Sequence, residues 1–273
     1  MRLWRTGLRW GSAVLCASSA LTAAVVMPAT AAETADYSRA DTTFAGSQIA
    51  RNEGVAGVPR FTTESATPGH DVSGHQGDVD WVGAWNAGGR FVYIKATEGT
   101  GYVSPSFAKQ YNGSYAAGMI RGAYHFARPD VSTGAAQADY FVDHGGGWTP
   151  DGRTLPGALD AEYNPYGDAC YGLSPAALGE WLRDFSDTYR ARTGRFPAIY
   201  TSTSWWNRCT GSNAGFGANN PLWVARYNAT LGPLPAGWTR QAIWQYADSG
   251  ALPGDQNLFD GSLDRARAFA TDR

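Results

Sequence analysis

The sequence predicts an α/β chain folded as an irregular, TIM-barrel-like (β/α) barrel of about eight strands over residues 67–273. Three observations carry that expectation. Short apolar runs of strand length recur along this stretch, helical patterns separate several of them, and all fall within one domain of roughly 205 residues. An open doubly wound sheet is the competing architecture, but no Gly-x-Gly-x-x-Gly follows an early strand.

In chain order, strands are expected at residues 70–73, 91–96, 122–126, 157–161, 198–201, 222–226 and 242–246, with a short one at 258–260. Phe107, Tyr111 and Tyr115 recur at i, i+4 and i+8 and mark a helix, and another is expected over 135–143. The clearest helical signal begins at Ser174-Pro175, a side-chain cap followed by proline at the first helical position. Leu178, Trp181, Leu182, Phe185 and Tyr189 then share one face, and Gly194 can end the helix.

Ahead of the barrel, residues 1–31 read as a signal peptide. Arg2, Arg5 and Arg9 form a basic start, an apolar stretch follows, and Ala29-Thr30-Ala31 supplies a small-x-small cleavage pattern. A membrane anchor is the alternative, but the stretch is interrupted by serines and short for a span. Residues 32–66 are rich in Ala, Thr, Ser and Gly without sustained periodicity, the texture of a flexible lead or propeptide. The expected product is secreted, without stable membrane association after cleavage, and monomeric. The leader holds three arginines and no acid, so its removal takes the formal charge from −2 to −5, which argues against nucleic acid as a partner.

Of the three cysteines, Cys16 lies within the leader, behind Val14-Leu15 rather than a small residue, so lipidation is not expected. Cys170 and Cys209 remain as an even pair in an exported chain. They are expected to close a disulfide loop worth roughly 3–4 kcal/mol, with two free thiols as the alternative.

The chemistry should sit at the C-terminal ends of the strands. There the run Leu155-Pro156-Gly157-Ala158-Leu159-Asp160-Ala161-Glu162 ends an apolar strand in Asp-x-Glu. A period of two places both carboxylates on one side, with Cα atoms roughly 6–7 Å apart, so each charge affects the other's protonation. Glycosidic cleavage needs a proton donor and a negative group beside an oxocarbenium-like transition state; one neutral and one ionised carboxyl meet that need. Asp71, Glu98 and Asp255 are further acids at strand ends, in a chain where only 17% of residues are charged. Tyr124, Tyr200, Trp223, Tyr227, Trp244 and Tyr246 lie on or just after expected strands. About half of them should face a cleft in which pyranose rings stack, and the rest should fill the core. His70, His75, His125 and His144 show no metal-ligand spacing, and no Gly-x-Ser-x-Gly elbow or P-loop is present. No metal or organic cofactor is expected.

These residues resemble glycoside hydrolase family 25, the N-acetylmuramidases that include the Chalaropsis-type lysozymes. The likeness covers about residues 70–264 and rests on motifs in order: Asp71-Val72-Ser73 with Gln76-Gly77 and Trp81, then Tyr93-Ile94-Lys95-Ala96-Thr97-Glu98-Gly99. Gly122-Ala123-Tyr124-His125-Phe126, Leu159-Asp160-Ala161-Glu162, Ile199-Tyr200-Thr201, Trp223-Val224-Ala225, Trp244-Gln245-Tyr246 and Asp255-Gln256-Asn257-Leu258-Phe259 follow. The resemblance implies an irregular barrel that acts on the glycan strand of peptidoglycan, cutting the β-1,4 bond from N-acetylmuramic acid to N-acetylglucosamine. It maps the family's acids onto Asp71, Asp160, Glu162 and Asp255, with Glu162 as proton donor. Asp160 is expected either as nucleophile or as the group orienting the substrate's acetamido group. Asp260 is the fallback for Asp255, because the last motif is shortened there. The placement of Cys170 and Cys209 also resembles bacterial members with a disulfide. A non-catalytic peptidoglycan-binding barrel and a chitin-type amino-sugar glycosidase are the other readings.

Overall fold

In the computed structural model, which describes Met1 and residues 35–61 and 65–272, most strands are short and buried on both faces, as a parallel barrel wall requires. The strands are β1 (Thr67–Val72), β2 (Phe91–Glu98), β3 (Tyr102–Val103), β4 (Ile120–Phe126), β5 (Ala158–Asp160), β6 (Ala198–Thr201), β7 (Leu222–Ala225), β8 (Ile243–Ala247) and β9 (Asp255–Phe259). Their order is β1-β9-β8-β7-β6-β5-β4-β2, and a parallel β1–β2 pairing closes the ring. The two-residue β3 only folds back on the end of β2. The expected signal peptide lies outside the described residues, Met1 aside. Among the described residues no helix is long and apolar enough to cross a membrane.

One strand breaks the parallel pattern, and it is the strand whose start the sequence reading placed too late. β9 runs antiparallel to both neighbours, pairing Asp71 with Asp255 and Ile243 with Phe259. Reversal puts the first residue of β9, rather than its last, level with the C-terminal ends of the other strands. Asp255 therefore shares a mouth with Asp71, whereas Asp260 lies at the opposite end.

The helices are α1 (Ser47–Glu53), α2 (Trp81–Asn86), α3 (Phe107–Ala116), α4 (Gly134–Phe141), α5 (Pro175–Thr193), α6 (Thr203–Thr210) and α7 (Leu263–Phe269). α5 follows its sequence signals from end to end. Ser174 accepts the Ala177 N–H at 3.3 Å, and Gly194 ends the helix with φ 80°. Its buried face, with Leu182, Phe185 and Tyr189, packs on the core that Phe141 and the strand residues fill. α4 runs into an irregular turn over Val142–Gly146, where Gly145 takes φ 105°. Cys170 and Cys209 are bonded, with Cα atoms 5.2 Å apart, tying the loop after β5 to the end of α6.

The barrel is not the whole compact unit, which comprises Ala35–Arg273. The stretch read as a flexible lead includes α1, and its Ala45 and Ile49 side chains belong to the main hydrophobic cluster.

Candidate active site

Asp160, Glu162, Asp71 and Asp255 meet at the mouth. Asp160 ends β5, and Glu162 follows two residues on, so the extended backbone directs both the same way. All four are at most 2% exposed. Each is nevertheless held differently, and the differences define what the site can do.

Asp71 is the best supported. Its Oδ2 accepts the side-chain amides of Gln245 at 2.8 Å and Asn257 at 2.7 Å. Burial pushes its carboxyl up to about 7 against the pull of those two donors. Asp255 has one long contact, its Oδ2 lying 3.4 Å from the Tyr227 hydroxyl oxygen, and burial and the neighbouring Asp71 raise it well above the carboxylate range. Glu162 accepts three backbone N–H groups, from Gly46 at 3.0 Å, Gln48 at 3.2 Å and Ile49 at 3.0 Å. Even so, burial raises it to about 8. Asp160 has no hydrogen-bond partner on either oxygen. Burial, followed by the charge of Glu162, lifts it well above its ordinary value. Adjacent buried acids that resist ionising together share their protons, so one of the pair stays neutral near neutral pH.

Glu98, at the end of β2, is different in kind. Its Oε2 takes the Lys95 ammonium at 2.6 Å and the Thr43 hydroxyl at 2.6 Å. Its Oε1 accepts the Tyr166 hydroxyl at 2.6 Å, with Arg128 at 3.7 Å.

The aromatic residues divide. The Tyr200 and Tyr227 hydroxyls donate to Gln245 Oε1 at 2.6 and 2.7 Å, and the Tyr124 hydroxyl accepts the Ala45 N–H at 3.3 Å. Trp223 forms the floor beneath them, stacked 4.7 Å from Tyr93, with its indole N–H on Asn257 Oδ1 at 2.7 Å. Trp244 and Tyr246 alternate along β8 with the buried Gln245 and so point away from the carboxylate cluster. Trp244 instead donates to the Arg226 carbonyl at 2.8 Å.

Gln245, Asn257 and Lys95 were missed as site residues. For Gln245 the signal was available: it sits between two aromatics on a strand, so a period of two puts it on the opposite face from them. His70 does not tune Asp71 through its polar atoms. Its Nδ1 pairs with the Pro253 carbonyl at 2.6 Å, and burial lowers it to about 4, so it stays neutral. Among the described residues, no three His, Cys, Asp or Glu side chains group as metal ligands.

The chain has known counterparts. The model for glycosyl hydrolases family 25 matches residues 70–255. An N,O-diacetylmuramidase of Chalaropsis sp is 52% identical over 207 residues, 74% of this chain and 98% of that protein. The structure of a muramidase from Acremonium alcalophilum aligns with a TM-score of 0.74 at 53% identity, covering 76% of this chain and 99% of that one. That of the bacterial lysozyme from Streptomyces coelicolor aligns with a TM-score of 0.74 at 48% identity, covering 76% and 98%. The chain therefore belongs to family 25 of the glycosyl hydrolases.

Proposed function

We propose that this glycoside hydrolase is a secreted, monomeric lysozyme that cuts the β-1,4 bond between N-acetylmuramic acid and N-acetylglucosamine in peptidoglycan. The observation that carries the reading is the Asp160–Glu162 pair: two buried carboxyls that make no ion pair among the described residues, both shifted toward the neutral form. The names of its relatives, N,O-diacetylmuramidase and lysozyme, support the substrate.

In this mechanism Glu162 in its protonated form donates to the leaving glycosidic oxygen and then takes a proton from the incoming water. The unpartnered oxygens of Asp160 are free to accept the substrate's acetamido N–H and orient its carbonyl oxygen toward the anomeric carbon. Direct attack by Asp160 is the alternative, and either route retains the anomeric configuration. Asp71, fixed by Gln245 and Asn257, supplies negative charge beside the developing cation, and Asp255 stands opposite it in the strand register. The hydroxyls of Tyr124, Tyr200 and Tyr227 offer hydrogen bonds to the sugar. Trp223 shapes the floor, and Glu98 fixes the β2 side.

The test is turbidity loss and product mass spectrometry on purified peptidoglycan, comparing the protein cleaved within residues 54–61 with its folded Glu162→Gln variant treated alike. New muramic-acid reducing ends, nearly lost in the variant, are the expected result. Turnover of chitin oligomers alone, or wall binding without release, contradicts the reading.

A further inference from the structure

A polymer-cleaving site has to admit its polymer, yet Glu162 and Asp160 are both 0% exposed. What covers them is the chain's own residues 35–57. Both oxygens of Glu162 are taken by backbone N–H groups of this segment. The Ala45–Gly46 peptide group is held at both ends, its carbonyl accepting Gln245 Nε2 at 3.0 Å and its N–H donating to Glu162 Oε1 at 3.0 Å. That is a secondary amide, the same functional group as a sugar acetamide. On the β2 side, Lys95 donates to the carbonyls of Ala40 at 2.9 Å and Thr43 at 2.7 Å.

None of these contacts is needed to close the barrel, which the β1–β2 pairing completes without them. The family match starts at residue 70, and about three quarters of this chain covers its Chalaropsis and Acremonium relatives almost end to end. The segment leaves the mouth by a path that is exposed at most positions, though Pro59 is buried and the Ala56 N–H donates to the Tyr227 carbonyl at 2.8 Å. Val55 is 53% exposed, Val58 61% and Phe61 39%, with Arg60 exposed between them.

We propose that residues 35–57 are an autoinhibitory plug occupying the glycan cleft, and that endopeptidase cleavage within residues 54–61 is the activating modification. The step is hydrolysis of one peptide bond, water supplying the hydroxyl to the new carboxyl group and the proton to the new amine. A tethered plug competes at an effective concentration of order mM, at or above an ordinary substrate KM, so the intact chain is held nearly silent. This rests on the proposed lysozyme activity.

Gly46 allows the plug to be dislodged without touching the barrel. It has φ +101°, and an added Cβ would collide with the Tyr227 hydroxyl and lie 2.8 Å from Asp255 Oδ2 and from Gln245 Oε1. Three full-length preparations are compared: the intact chain, the Gly46→Val variant, and a chain cut by a narrow-specificity protease whose site replaces part of residues 55–61. Each is followed by peptidoglycan hydrolysis and by hydrogen exchange of residues 40–53, which needs no activity. The intact chain is expected to protect these amides, while the opened forms lose protection and hydrolyse at least roughly tenfold faster. Unprotected amides in the intact chain, or measurable and equal hydrolysis by all three, overturn the inference alone. If exchange shows the plug gone and the opened forms still release nothing, the lysozyme reading fails and inhibition falls with it.

Discussion

The two sides of the barrel mouth are buried alike and charged differently. On the β2 side Glu98 lies against Lys95 and within 3.7 Å of Arg128, and both of its oxygens are bonded. On the β5–β9 side Asp160, Glu162, Asp71 and Asp255 have no ion-pair partner among the described residues, and all four are pushed toward the neutral form. Paired charge in a dry site is fixed and has little reason to move a proton. Unpaired carboxyls, lifted toward neutral pH, are the groups that can give and take one. Burial alone therefore does not mark a reactive acid; the missing counter-charge does.

That contrast can be broken from either side. The largest effect is expected from Asp160→Asn in a plug-free form, where kcat should fall roughly a hundred- to thousandfold with KM little changed, in steady-state release of reducing ends. A change confined to KM would move Asp160 from the chemistry to ground-state binding. Lys95→Met should act on stability instead. It leaves Glu98 with Arg128 at 3.7 Å as its one remaining cation among the described residues, a loss of about 3 kcal/mol by denaturant unfolding. An unchanged midpoint would mean that Glu98 is not held by its cation.

The disulfide bears on the unpaired side, because it ties the loop that carries Tyr171, whose hydroxyl donates to the Glu162 carbonyl at 3.1 Å. Cys170→Ser with Cys209→Ser should cost about 2–4 kcal/mol and lower activity through a looser Glu162. A further effect is the slope of stability with pH. Glu162 at about 8 and Asp71 at about 7 keep protons in the folded chain that the unfolded chain releases near 4. Stability of the intact chain should thus be highest at acid pH and decline as pH rises from 5 to 8, less steeply in Glu162→Gln, as read by melting temperature.

Much of this was legible in the sequence, and the gaps have physical causes. Strand-length apolar runs and the Asp160–Glu162 spacing survive in any packing, so the barrel wall and the acid pair could be read directly. Asp255 was placed with more difficulty, because nothing local announces that β9 runs antiparallel; only its pairing partners reveal it. Gln245 and Asn257 were missed because an amide gains its role from the carboxylate across the barrel. The short helices α6 and α7 were announced by their Ser202 and Ser262 caps, signals that were present and not used. α1 had no such announcement. Its cap, Gly46, makes no side-chain bond, and the helix exists because its N–H groups and Ile49 find partners in the mouth.

The central claim, that the side of the mouth without ion pairs holds a neutral proton donor, is tested most directly by carboxyl ¹³C NMR of the intact chain. With glutamate side chains labelled, one resonance should titrate near pH 8 and vanish in Glu162→Gln. If every glutamate carboxyl titrates at ordinary acidic values, Glu162 is ionised at neutral pH and the account of the site is wrong.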